Sequence, residues 1–207
     1  NIEKEIIIVD DHSTDETFNI LSKFKKHKSI KHIRHSRNMG KGAAVRAGLK
    51  MVSGDLIIIQ DADLEYNPND YKRLLEPIIL KKAKVVYGTR LKNYPLNLWG
   101  KHKTVLPTHL IGNKIVTALT NVLYGSNVSD METGYKLFKR EVLKNIKLES
   151  NRFDIEPEIT AKVLKSGFDI YEVPIKVVPR NHKQGKKINW KDGVVAIWTL
   201  FKYRFRD

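Results

Sequence analysis

Two short apolar runs, each stopping at paired carboxylates, constrain what this chain can fold into. In Asp55-Leu56-Ile57-Ile58-Ile59-Gln60-Asp61-Ala62-Asp63, four consecutive branched apolar residues end at two acids one residue apart. Such a run suits a buried strand in a sheet covered on both faces. The acids then sit at its C-terminal end, the edge where open α/β sheets bind ligands. Asp-x-Asp leaving a strand offers hard oxygens to one divalent cation, and such a cation can bridge the oxygens of a diphosphate. Glu5-Ile6-Ile7-Ile8-Val9-Asp10-Asp11 repeats the design. Two such strands at one edge predict an acidic pocket in a protein whose formal net charge is +15.

That charge comes from 38 Lys+Arg against 23 Asp+Glu and calls for an anionic partner. Nucleic acid is a poor fit, because it gives no reason for acids at strand ends and no DNA or RNA motif is present. From Lys176 onward, nine basic residues face two acids. The chain has no Cys, which excludes disulfides, thiolate metal sites and a Cys nucleophile. A composition of 41% hydrophobic and 29% charged residues is that of a globular protein. No apolar run approaches the ~18 residues of a membrane-spanning helix, and no signal peptide is evident.

Between the two acidic strands, Ser13-Thr14-Asp15-Glu16 is a capping-box pattern opening a helix with Phe18, Leu21 and Phe24 at helical spacing. Residues 30–33 read as the next strand, so strand, helix, strand predicts a parallel unit. Residues 37–48 are a glycine-rich turn running into a small-residue helix. Val45 at the third glycine position spoils a dinucleotide fingerprint, and no Gly-Lys-Ser/Thr makes a P-loop. Either Lys41 at this helix start helps hold phosphate, or the glycines only allow close packing.

Farther on, Asn67-Pro68-Asn69 starts a helix with Tyr71, Leu74, Leu75, Ile78 and Ile79 on one side, and Pro77 is expected to kink or shorten it. A strand at 85–87 delivers Arg90 to the ligand edge if it runs parallel to the others. Residues 92–109, with Trp99 and Lys103, read as a lid. Residues 110–124 predict a helix with Ile111, Ile115, Leu119, Val122 and Leu123 toward the core. Asp130 and Glu132 precede another apolar stretch, a helix opens near residues 152–158 and ends at Gly167, and Pro174 marks 171–178 as an edge strand.

With Ile-Val-Asp-Asp-x-Ser-Thr-Asp at 8–15, Asn-x-Gly-x-Gly at 38–42, Asp-Ala-Asp-Leu-Glu at 61–65, Gly-Thr-Arg at 88–90, Asp-Met-Glu-Thr-Gly-Tyr-Lys-Leu-Phe at 130–138 and Val-Pro-Arg at 178–180, the chain closely resembles family 2 glycosyltransferases. Within them it is most similar to the polyprenyl-phosphate and dolichyl-phosphate sugar synthases. The resemblance implies the GT-A fold, a Rossmann-like, mostly parallel sheet with helices on both faces. It implies a GDP- or UDP-sugar donor, Mg2+ or Mn2+, and inversion at the anomeric carbon. Asp10 and Asp11 would lie against the nucleoside, and Asp61, Asp63 and Glu65 at the diphosphate and metal. Arg90, Lys103 and Arg180 would bind the acceptor phosphate, and Asp130 would lie near the sugar and acceptor. One departure stands out: the family's first strand, ending in Pro-x-Tyr-Asn-Glu or similar, is not seen. A truncated sequence is therefore expected, with a gap in the sheet beside Ile6 to Val9 and poor stability.

On this reading, residues 1–185 form the catalytic domain and 186–207 a basic amphipathic segment. The reaction is attack of an acceptor oxygen on the anomeric carbon. A hydroxyl acceptor needs a general base, for which Asp130 is the first candidate, whereas a lipid phosphate needs cations such as Arg90. The alternatives are a glycan hydroxyl acceptor and a sugar nucleotidyltransferase, although the latter's Gly-x-Gly-x-Arg start is not visible. Trp190, Val194, Val195, Ile197, Trp198, Phe201 and Phe205, flanked by Lys202, Arg204 and Arg206, form either a packed terminal helix or one lying on an anionic membrane. The second predicts peripheral attachment at the cytoplasmic face.

Overall fold

A computed structural model describes residues 3–24, 26–91, 107–177 and 190–206, with the side chains of 107–109 left aside. Lys103, Trp99 and the expected lid as far as residue 106, and Arg180 with its Val-Pro-Arg motif, lie outside these residues, whereas 107–109 of that expected lid open a helix.

The first acidic run is β1 (Ile6–Asp10), which pairs in parallel with β2 (Ile30–Arg34) across the short helix α1 (Thr17–Ser22). α1 does not start on the expected capping box. The N–H of Ser13 is taken by Asp10 Oδ1 at 2.8 Å and that of Thr17 by Asp15 Oδ1 at 3.0 Å, so the cap residue is Glu16 with no side-chain cap bond. α2 (Lys41–Leu49) then leads to β3 (Leu56–Ile59), the second acidic run. β3 belongs to a four-stranded sheet ordered β3-β5-β4-β6, with β4 (Val85–Thr89), β5 (Lys136–Lys139) and β6 (Ile170–Pro174). β3, β4 and β6 share one direction and β5 opposes them, so the sheet is mostly parallel. β6 with its terminal Pro174 lies at the edge, where a residue without N–H is tolerated.

Both faces of this sheet are covered. Val86, Tyr135 and Leu137 pack with Leu74 and Ile78 of α3 (Tyr71–Ile79) on one face. Val85, Tyr87 and Phe138 pack with Ile155, Ile159 and Val163 of α6 (Ile155–Lys165) on the other. Pro77 is accommodated two residues before α3 ends, and Ile79, expected inward, is exposed. Among the described residues β1 hydrogen-bonds to β2 alone and not to β3. Glu5 ties the two sheets instead, its Oε1 accepting the N–H groups of Ser53 and Gly54 at 2.7 and 2.9 Å.

The third core lies where α4 (Pro107–Tyr124) and α7 (Trp190–Phe205) pack on each other, and α7 also packs on α6. It contains Val116, Met131, Ala161, Ala196, Leu200 and Tyr203. The expected face of α4 is corrected in part: Leu119 and Leu123 do pack against this core, but Ile111, Ile115 and Val122 are exposed, and Leu110, Val116, Thr117 and Thr120 are buried. Thr117 and Thr120 can face inward because their hydroxyls donate to Asn113 Oδ1 and the Val116 carbonyl. On α7 the buried stripe is Ala196, Thr199, Leu200 and Tyr203, and most of the larger apolar residues named from sequence face outward. A short helix α5 (Arg140–Lys144) follows β5.

Candidate active site

Because β5 opposes its neighbours, its N-terminal end meets the C-terminal ends of β3 and β4. Lys136 pairs with both Ile59 and Tyr87. One edge therefore carries Asp61 and Asp63 beyond β3, Arg90 beyond β4, and the turn from Asp130 to Gly134 entering β5. Both acidic turns contain a non-glycine residue in the left-handed region, His12 at φ 64° and Leu64 at φ 61°. Each such conformation costs on the order of 1 kcal/mol and tends to cluster at functional turns.

Lys41 at the start of α2 lies 2.7 Å from Asp61 Oδ2 and 2.7 Å from Glu156 Oε1. Burial works against its charge, but the two carboxylates win and hold its pKa well above the usual lysine value. Glu156 also pairs with Lys136, a fully buried ammonium that donates to the Met131 carbonyl at 3.0 Å and to the Thr133 carbonyl. Lys136, Glu156, Lys41 and Asp61 thus alternate in sign across β5, α6, α2 and β3. The glycines around Lys41 take the packing role: a Cβ on Gly42 would run into the Ser150 carbonyl oxygen of the chain ahead of α6.

Asp11 organises the same corner. Its Oδ1 accepts the Met39 N–H at 2.8 Å and lies 2.7 Å from His35 Nδ1, while its Oδ2 accepts the Gly40 N–H at 2.7 Å. These bonds fix the turn that carries Lys41. Asp10 is buried, with Arg34 Nε at 3.3 Å from Oδ2, yet that oxygen has no hydrogen bond among the described residues. Of the two acids, Asp10 is the one with an unsatisfied oxygen at the strand end.

On the other side, Arg90 clasps Asp130 with two parallel bonds, Nε to Oδ2 and Nη2 to Oδ1, both 2.7 Å. The Arg90 backbone N–H and Asn113 Nδ2 add bonds at 3.0 and 3.1 Å. Burial alone would raise the pKa of Asp130, but the guanidinium and these donors outweigh it and hold the carboxyl below its ordinary value. Asp130 is therefore a fixed, ionised partner for Arg90. The turn itself hangs on Glu172 of β6, whose carboxylate accepts from the N–H groups of Ser129 and Asp130 and the Ser129 hydroxyl at 2.8 to 3.1 Å.

Gly134 lets this turn pass over the acids of β3, since a Cβ there would lie 2.8 Å from Asp61 Oδ2. Its N–H donates to the Tyr66 hydroxyl at 2.8 Å. Among the described residues no three acidic or histidine side chains converge as a ready-made cation site. At the turn through Leu64 the backbone N–H of Glu65 donates to Asp63 Oδ1 at 3.1 Å. A divalent cation shared with a diphosphate needs only one or two carboxylates beside phosphate and water oxygens. Asp61 and Asp63, on one turn at a ligand edge, fit that smaller role.

Sequence reasoning missed Glu156, Lys136, Glu172 and Asn113. The signal for Lys136 and Glu156 lay in charges next to apolar runs, which read equally well as solvated ends.

An α/β sheet with this edge is the GT-A-like architecture. It superposes on glucosyl-3-phosphoglycerate synthase from Mycobacterium tuberculosis in complex with Mn2+, uridine diphosphate and phosphoglyceric acid with a TM-score of 0.71, at 19% identity, over 98% of this chain and 68% of that one. The chain belongs to glycosyl transferase family 2, whose family model matches residues 1–147. Among similar proteins are the UDP-N-acetylglucosamine–dolichyl-phosphate N-acetylglucosaminyltransferase of Methanococcus voltae, 28% identical over 94% of this chain and 83% of that protein. A dolichyl-phosphate beta-glucosyltransferase of Trichomonas vaginalis is 32% identical over 83% of this chain and 53% of its own length.

Proposed function

We propose that the protein transfers a sugar from a GDP- or UDP-sugar to the phosphate of a polyprenyl lipid, with inversion. The observation that carries this is the division of one sheet edge. Acids and Lys41 suited to a cation-bound diphosphate sit beyond β3, and a guanidinium suited to a second phosphate sits beyond β4. The names of the dolichyl-phosphate transferases among its relatives support the same acceptor class.

In the proposed reaction an acceptor phosphate oxygen attacks the anomeric carbon and a new carbon–oxygen bond forms. The bond from that carbon to the β-phosphate oxygen breaks, and the nucleoside diphosphate leaves with the electron pair. Mg2+ or Mn2+ held by Asp61 and Asp63 would supply charge neutralisation of the leaving diphosphate. Asp11 positions the Lys41 turn, and Lys41 places its ammonium beside Asp61. Arg90 holds the acceptor phosphate with guanidinium donors outside its clasp with Asp130, and Asp130 keeps the plane of Arg90 fixed. A lipid phosphate is already anionic near neutral pH, so no base is required. A glycan hydroxyl acceptor would require one, and the engaged oxygens of Asp130 make it a poor base.

The acceptor class also suits the surface built by α4 and α7. Trp198 is 68% exposed and Phe205 80%, with Val122 of α4 at 81%. Among the described residues no helix is long and apolar enough to cross a membrane. Exposed aromatics interleaved with Arg204 and Arg206 match a surface resting on anionic lipid, as on a cytoplasmic leaflet.

The test is transfer from labelled UDP- and GDP-sugars to a short polyprenyl phosphate in the presence of Mn2+. Product should form with one donor, and Asp63→Asn should abolish it while the circular dichroism spectrum stays unchanged. Full turnover in excess chelator overturns the metal role, and use of hydroxyl acceptors alone overturns the acceptor.

A further inference from the structure

From Asp130 to Phe138 every residue is buried except Glu132. Met131 and Thr133 on either side have no exposure, and their carbonyls are both pinned by the Lys136 ammonium. The turn is therefore tightly held, and Glu132 is its one residue that is not fully buried. Glu132 Oε1 is enclosed and has no hydrogen-bond partner among the described residues. A buried carboxyl oxygen left without a partner is costly, and native structures rarely leave one without a reason.

The place of this residue says what would satisfy it. The turn begins at Asp130, clasped by Arg90 on the acceptor side, and ends at Gly134, packed over Asp61 on the donor side. Glu132 lies midway between them. If the protein carries out the transfer proposed above, the group that must occupy the middle is the sugar being moved. We propose that Glu132 binds the donor sugar, its carboxylate accepting hydrogen bonds from ring hydroxyls. Carboxylates suit vicinal hydroxyls because two oxygens can accept at once and the bonds are charge-assisted. Burial, and next the carboxylate of Glu156, push its pKa up to about 7, against the pull of Lys136 and Arg90. The ionised, accepting form therefore gains population as pH rises through neutrality.

Calorimetric titration of a nucleoside diphosphate and of its matched nucleotide sugar, with Mn2+ present, tests this in the wild type and in Glu132→Gln and Glu132→Ala. UDP with UDP-glucose, and GDP with GDP-mannose, are the probes. The nucleotide sugar should bind the wild type more tightly than the bare diphosphate, with the advantage growing from pH 6 to pH 8. Both variants should bind the bare diphosphate within about twofold of wild type, which also shows that they fold. They should lose roughly tenfold in affinity for the nucleotide sugar, as expected for about 1.4 kcal/mol, and Glu132→Gln should lose the pH dependence. Variants that keep the full advantage of the sugar conjugate overturn the assignment of Glu132 alone. A wild type that binds neither diphosphate nor conjugate overturns the transferase reading beneath it.

Discussion

Glu156 offers the sharpest test of how the site is held. Its carboxylate compensates Lys136, which has no exposure, and it is one of two anions around Lys41. Glu156→Gln keeps the volume and leaves Lys136 with carbonyl oxygens alone. Removing one partner of a buried ion pair typically costs about 3–5 kcal/mol, because the remaining charge stays desolvated. For a domain of this size that is a fall of roughly 6–20 °C in Tm, at about 2–4 °C per kcal/mol. Thermal and urea unfolding followed by circular dichroism read it directly. The double variant Glu156→Gln with Lys136→Met removes both charges and should recover most of the stability, since well-packed apolar replacements of buried pairs are near neutral. A single variant within about 1 kcal/mol of wild type, or a double variant no better than the single, refutes the idea that Glu156 balances a buried positive charge.

Two further expectations concern packing and surface. Gly42→Ala should cost about 1–3 kcal/mol by overpacking against the Ser150 carbonyl, measured as a lower urea midpoint, and no loss would mean that the chain ahead of α6 yields easily. The protein should sediment with anionic vesicles at low salt and release as salt rises. Trp198→Ser with Phe205→Ser should weaken that binding on neutral and anionic vesicles alike, whereas Arg204→Gln with Arg206→Gln should weaken it on anionic vesicles only; unchanged sedimentation in both would return the exposed face of α7 to an ordinary protein surface.

The strand ends were legible in the sequence because they are local. A branched apolar run stopping at acids declares its direction and the place of its carboxylates within ten residues, and β1 and β3 both obeyed; the expected burial held only in part, since Ile6 of β1 is exposed and Ile7 to Val9 are half-buried. The same holds for Arg90, which leaves β4 at the predicted edge. What could not be read depends on pairing. Nothing in Lys136-Leu137-Phe138-Lys139 shows that this strand runs against its neighbours, and a lysine at its head reads as solvent-facing rather than as an enclosed counterion for Glu156. The α4 error has a different origin. That helix has apolar residues nearly all round, so periodicity selects the side rich in Ile and Val, while the core side uses Thr117 and Thr120 with hydroxyls satisfied along the helix. Ser13 is not a cap because the helix starts later, at Thr17, with Glu16 at the cap position and Asp15 accepting the Thr17 N–H.

The reversed direction of β5 also gives the site a ruler. Neighbouring strands lie about 4.8 Å apart, so with β5 between them β3 and β4 are separated by roughly two such steps. The strands from which Asp61, Asp63 and Arg90 depart are thereby set at a separation that the backbone ladder fixes, and on the proposed function that spacing keeps the donor and acceptor ends of the site apart.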